Sequence, residues 1–302
     1  MTSVRVSCDR RTFLSKTFGG LAAASAVPAL GRRARGAAPG EQDGPWKLRL
    51  SASTINFASL PVEQACAKIA ELGFDAVDVW SAHAGCPHLD DVLERLGPQG
   101  LKKLLAEHNL KLYSFSVYRG GFRKYVELLG KSGGGVAVRG SAGPCPPEEM
   151  PTRMRRFLEA LKPDLELAEE HDAYLAIENH GHALLDSLDS LKALTDMNRN
   201  PRLGIALAPY HVQGQKQSVE EAIKICGKQL FFFYAWQRSR GTGQLPGIGP
   251  TDCTPWIAAL AEIGYEWYVN PFMHHEPKPD EMSPLLAKSA DYLRQCYAKA
   301  VK

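Results

Sequence analysis

The residues best suited to chemistry sit in two short stretches, AIENHGH at 176–182 and LGIALAPYHV at 203–212. Read as a strand, the first places Ala176, Glu178 and His180 on one face, because side chains alternate along a strand. A Glu at a strand end can move a proton or hold a cation. It can equally close a structural salt bridge, and His180 and His182 taken singly are ordinary loop residues. In the second stretch Pro209 lacks the N–H that a sheet ladder needs, and so ends the strand. His211 then stands just past that end. Beside Glu178 on a neighbouring strand it becomes a candidate for proton transfer or for holding a hydroxyl group. Glu178 and His211 are therefore the candidate catalytic pair, with His180 as a candidate substrate ligand.

A regular alternation of elements has to position these residues. Strand-like runs begin near Leu48, Ala76, Lys111, Val136, Ala173, Leu203, Leu230 and Trp267. Helical patterns run between them. One covers 61–72, opened by Pro61 and closed by Gly73. A long one covers 151–171, interrupted at Pro163. Others cover 218–226, between Ser218 and Gly227, then 254–263, before Gly264, and finally 280–301. Strand starts recur about every 31 residues, which predicts one α/β domain over residues 45–302, a (β/α)8 TIM barrel. A doubly wound sheet is the rival, but no G-x-G-x-x-G follows the first strand. The glycines of KSGGGVAVRG (131–140) precede a strand and read as a turn into it.

Chemistry in such a barrel gathers where strands end. That rule adds candidates for substrate binding. Trp80, Tyr210 and Trp236 offer faces for a sugar ring, with buried packing as the competing role. Gln237 shares inward parity with Ala235. Gly247 and Gly249 in LPGIGPTD allow close backbone approach to a substrate, or make an ordinary turn. Asp78 shares parity with Trp80 and suits substrate hydroxyls or an ion pair with Arg139.

Composition narrows the partners. Of the 302 residues 44% are apolar, enough for a large core. No uncharged apolar run reaches the roughly 18 residues of a membrane span, so no stable span is expected in the mature chain. The formal charge of +3 is unevenly placed. Residues 1–38 carry seven Lys or Arg against Asp9 alone, and the remainder is mildly acidic. An acidic body argues against a nucleic-acid partner. DRRTFLSK (9–16), followed by uncharged Ala, Gly and Leu up to Gly31, has the layout of a twin-arginine export signal. Residues 1–44 are thus expected to be a signal peptide and leader. They would address the protein through the twin-arginine translocation machinery to the periplasm or another extracytoplasmic space. A plain basic leader or an uncleaved anchor is the alternative. Six cysteines beyond the leader are scattered without a C-x-x-C pair and read as small buried hydrophobes.

Five stretches together resemble a known family. They are VEQACAKIAELGFDAVDVW (62–80), AIENHGH (176–182), LGIALAPYH (203–211), LPGIGPTD (245–252) and IGYEWYVNPF (263–272). Over roughly residues 48–300 the chain resembles the sugar phosphate isomerase/epimerase proteins among the xylose-isomerase-like barrels. The resemblance implies a divalent metal (Mn, Mg, Co or Zn) held by Glu, Asp, His and Glu from strands five to eight. Two carboxylates then shuttle protons through an enediolate. Carried over, the first ligand is Glu178. The Asp position holds Ala208, three residues before a retained His211. Strand seven has no His, and the last Glu position holds Asn270, which is left as a candidate substrate ligand. Glu266 lies four residues before Asn270, about 13 Å down the strand. His274, His275 and Glu276 could join Glu178, His180 and His211 in a replacement set.

The expected function is an exported carbohydrate isomerase or epimerase-like enzyme that moves a proton at the barrel mouth, with a degenerate metal site. The alternatives are a non-catalytic sugar-binding protein on the same scaffold, or a metal-independent carbohydrate lyase or hydrolase.

Overall fold

Eight parallel strands form one sheet in sequence order: β1 (Ser51–Ser53), β2 (Ala76–Trp80), β3 (Lys111–Ser116), β4 (Gly135–Gly140), β5 (Ala173–Glu178), β6 (Leu203–Leu207), β7 (Leu230–Ala235) and β8 (Val269–Pro271). The sheet meets itself where Leu50 bridges Val269 and the Val269 N–H donates to the Arg49 carbonyl at 2.9 Å. With helices between the strands this is a (β/α)8 barrel, as the alternation predicts. The structure is a computed structural model that describes residues 45–81 and 85–301. The expected leader and export signal, residues 1–44, lie outside the described residues.

The local signals explain most elements. Ser218 caps the helix Val219–Cys226, its hydroxyl accepting from the Glu221 N–H at 3.1 Å. Gly135 enters β4 at φ 133°, where a Cβ would lie 2.6 Å from the Tyr113 carbonyl oxygen, so the glycine turn is a packing necessity. Pro163 does not interrupt its helix. Met150–Glu170 runs through it, held on the barrel by Met154, Phe157, Leu161 and Leu165. Tertiary packing there outweighs the hydrogen bond a proline removes. Among the described residues no helix is long and apolar enough to cross a membrane.

Two expectations about side-chain direction are corrected. In β7, Phe233 meets Trp256 of the helix Thr254–Glu262 edge-on at 6.3 Å, so that face points outward. Phe232 stacks on Tyr113 at 4.9 Å and Tyr234 reaches Tyr118, so the other face points to the barrel axis. Ala235 therefore points outward, and Gln237 lies beyond the strand. Every residue of β7 is buried, and a run that is apolar on both faces shows no alternation to read. Arg139, in turn, pairs with Asp164 at 3.2 Å instead of Asp78. Glu266 pairs with Lys228 at 2.8 Å, four residues before Asn270 and away from the mouth, as its position along the chain implies.

Candidate active site

A cavity of about 280 Å³ opens at the ends of the strands, walled by Trp80, Tyr118, Tyr234 and Phe272 and by Glu178, His180 and His274. Glu178 is the last residue of β5, opposite Ala206 of β6 and Gly140 of β4. Only 8% of it is exposed. Burial disfavours its charge and raises the carboxyl to about 7, partly offset by a hydrogen bond with the Tyr118 hydroxyl. Tyr118 lies 3.0 Å from the Tyr234 hydroxyl. Desolvation drives both phenols well above the usual tyrosine range, so they remain protonated. Neither tyrosine was singled out from the sequence. Parity with Ser114 and Ser116 would have found Tyr118, while Tyr234 was hidden in the apolar run of β7.

Asn179 is a third residue that sequence reasoning passed over. Its Oδ1 accepts from the Ala208 N–H at 2.6 Å and its Nδ2 donates to the Ala208 carbonyl at 3.2 Å. The side chain thus pins the tip of β5 to the tip of β6. It fixes Glu178 next to it and the start of the helix Pro209–Gly214 that carries His211.

The structure brings His211 against His180, with ring centroids 4.0 Å apart, and not onto the cavity wall. His211 packs edge-on to Trp236 at 5.2 Å and to Tyr210 at 5.3 Å. Burial first, then the neighbouring His180, His274 and Arg238, push it down to about 3, so it is a neutral imidazole. Its Nε2 is buried with no partner. His180 is exposed and its Nδ1 meets the Gly181 carbonyl at 2.8 Å.

Of the three aromatics proposed to meet a sugar, Trp80 lines the cavity. It stacks on Phe272 at 5.4 Å and donates its indole N–H to Asp78 at 2.5 Å. Tyr210 and Trp236 stack on each other at 4.4 Å, with the Arg238 guanidinium over Tyr210.

The remaining candidates are joined to the protein itself. Gln237 donates to the Leu245 carbonyl and accepts from the Thr251 N–H, each at 2.7 Å. A Cβ on Gly249 would lie 2.0 Å from the Gly243 oxygen, and one on Gly247 2.5 Å from the Tyr292 ring. Asn270 is fully buried, donating to Ser51 at 3.0 Å and accepting from Ser53 at 3.2 Å. Asp78 sits nearby in a cage of donors: Ser53 at 2.7 Å, Ser114 at 2.9 Å, Ser116 at 3.0 Å and Trp80. Burial still outweighs them and raises Asp78 to about 6.

These donors do not fit the family's metal. Ala208 has no ligand atom, both ends of the Asn270 amide are engaged, and β7 presents Tyr234. The replacement set does not assemble either. Among the described residues no three His, Cys, Asp or Glu side chains converge as a metal would require. His274 reaches the cavity, His275 is exposed, and Glu276 turns one oxygen into a buried position without a partner. Only Glu178 keeps a ligand type, and one carboxylate is too few.

The sequence matches the xylose isomerase-like TIM barrel family over residues 66–296, and the chain belongs to that family. A search of curated proteins finds no match. In fold it is similar to a D-allulose 3-epimerase from Methylomonas sp. (TM-score 0.63, 17% identity, 83% of this chain and 99% of that one). It is also similar to a 3-keto-D-glucoside 4-epimerase from E. coli (TM-score 0.64, 16% identity, 83% and 100%). A third likeness is to a xylose isomerase-like TIM barrel/4-hydroxyphenylpyruvate dioxygenase fusion protein (TM-score 0.61, 17% identity), where it covers 82% of this chain and 42% of that one.

Proposed function

We propose that the chain is a carbohydrate isomerase or epimerase-like enzyme in which Glu178 carries the proton. One observation supports this most: a buried carboxyl, raised to about 7, faces a small aromatic-walled cavity at the strand ends. A carboxyl poised near working pH both takes and returns a proton efficiently. The cavity is near the lower end of small-ligand pockets, which begin at about 300 Å³. The ionised Glu178 takes the proton from a carbon next to a carbonyl. His180 and His274 line the same cavity and can hydrogen-bond the substrate oxygens, while the Tyr118 hydroxyl holds the Glu178 carboxylate. The neutral carboxyl then returns the proton to the former carbonyl carbon, while the hydroxyl proton of the deprotonated carbon passes to the former carbonyl oxygen, so that the carbonyl moves by one carbon. A single carboxyl suits transfer on one face of the substrate. Hydrolysis of a glycoside would ask for a second carboxyl across the bond, and the described cavity wall holds one. The sugar epimerases among the structures similar in fold support a carbohydrate as the substrate, whereas epimerisation itself would ask for a second acid on the opposite face. The Arg10-Arg11 motif and the apolar stretch after it support export, so the work would be extracytoplasmic.

A second reading is a sugar-binding protein without turnover. It is favoured by Ala208 and Asn270, which withdraw charge from the mouth. Solvent exchange separates the two. Sugars incubated with the enzyme in D2O should gain carbon-bound deuterium by NMR, and Glu178→Gln should abolish the gain. Sugar binding without exchange in the wild type would establish the second reading.

A further inference from the structure

The strand starts, at the opposite end of the barrel from the candidate active site, hold another and larger cavity. It is a cleft of about 620 Å³ between the entry to β3, the glycine turn before β4 and the segment leading into β8. Lys111 opens β3, Gly135 opens β4, and Trp267 and Tyr268 lead into Val269. Arg49 lines the cleft at the seam where Leu50 bridges Val269.

The cations of this cleft are unmatched. Arg49, Lys102 and Lys111 line it, and its described lining includes no Asp or Glu. Lys102 and Lys111 are exposed, so water alone suits them. Arg49 is placed differently. Its guanidinium carbon lies 4.9 Å from the centre of the Tyr268 ring, and its Nε and Nη2 are buried with no partner. Arg49 forms no ion pair among the described residues. Asp75, whose charge also acts on Tyr268, turns its carboxylate to the Leu50 N–H at 2.8 Å. Ser132, only 6% exposed and on the same cleft, has a buried hydroxyl without a partner. The ring face offsets part of the cost of desolvating a guanidinium, but supplies no oxygen for its five N–H donors. An anion supplies both oxygen and charge.

The rest of the wall includes Leu105, Leu112 and Trp267, which a bare inorganic ion would leave uncovered. The volume lies within the range of small-molecule sites, about 300–1,000 Å³. We propose that this cleft binds a small organic anion, its carboxylate or phosphate on Arg49 and Lys111 and its apolar body on Leu105, Leu112 and Trp267. Bound there, the anion ties β1, β3 and the entry to β8 together. Its effect falls on the stability of the barrel, the role of the strand-start end in this fold, and is independent of the chemistry at Glu178.

The test is calorimetric titration of the purified full chain with phenyl phosphate and with benzoate. Inorganic phosphate and benzyl alcohol serve as the controls for the apolar body and for the charge. At least one aromatic anion should bind with a Kd of about 1 mM or tighter and raise the melting temperature. The tighter of the two identifies phosphate or carboxylate as the head group. Benzyl alcohol and inorganic phosphate should each bind at least about 10-fold more weakly, and Arg49→Gln should weaken the anion by a similar factor. Lys111→Glu, an exposed change that spares the core, should weaken it at least about 5-fold. Failure of both aromatic anions to bind at about 10 mM overturns the proposal. Benzyl alcohol binding as tightly as the anions overturns the role of charge, and inorganic phosphate binding as tightly as phenyl phosphate overturns the apolar contact. Anion binding unaltered in Arg49→Gln, or in Lys111→Glu where Arg49→Gln does not fold, overturns the placement in this cleft.

Discussion

Asp78 and Glu178 are both carboxyls buried inside the barrel, and burial raises both. Their surroundings differ. Asp78 is fully buried and meets four donors from β1, β2 and β3 at 2.5 to 3.0 Å. Glu178 opens onto a cavity and has the Tyr118 hydroxyl as its partner. A buried polar group with its partners supplied is part of the architecture; one left open to a cavity is available for chemistry. Asn270 belongs with Asp78, cross-linked between two serines of β1, whereas His274 lies on the cavity wall.

The comparison is most exposed to failure at Asp78. Asp78→Ala would take the shared acceptor from the Ser114 and Ser116 hydroxyls and the Trp80 indole N–H in the core, and leave Ser53 with Asn270 alone. It should cost roughly 3–5 kcal/mol in denaturant unfolding. A cost below about 1 kcal/mol would show that the cage is not structural.

Glu178→Gln should instead leave the fold intact and lower solvent exchange by more than about 10²-fold. It should also stabilise the protein at alkaline pH. The folded carboxyl titrates near 7 against an ordinary 4.5, so its protonated form contributes stability that is complete at low pH. That contribution is lost as pH rises through about 7. The variant should gain up to about 3 kcal/mol over wild type at pH 8 and much less at pH 5. Equal stabilities at both pH values would place Glu178 in ordinary solvent. As a base, Glu178 should give exchange that rises with pH through about 7.

Gln237→Ala tests whether the loop after β7 is closed by that amide. Loss of two hydrogen bonds should cost about 1–2 kcal/mol and raise protease sensitivity at 238–252. The smallest effect belongs to the far end of the barrel. Lys228→Ala removes an exposed pair with Glu266 and should change stability by less than about 1 kcal/mol, with exchange kinetics unaltered.

Local pattern carried the architecture. Alternating strand and helix signals set the barrel and its strand order, Ser218 and Gly227 mark the ends of their helix, and alternation placed Glu178 inward at the end of β5. Neighbours in sequence suffice for these, because periodicity and caps act within a few residues. The site's wiring was not legible in the same way. The cage around Asp78 joins Ser53, Ser114 and Ser116 across 25 to 38 residues, and Asn270 meets Ser51 across 219. A register shift between Val77 and Asp78 helps to align that cage, and no local signal marks it. The burial of β7 on both faces concealed Tyr234, and the turn after β8 kept His275 and Glu276 from joining a metal site. By itself the sequence determined the elements, their order and a carboxyl at the mouth. Closure of the barrel decided which polar groups met partners and which remained open, because it alone brings distant strands within hydrogen-bonding reach.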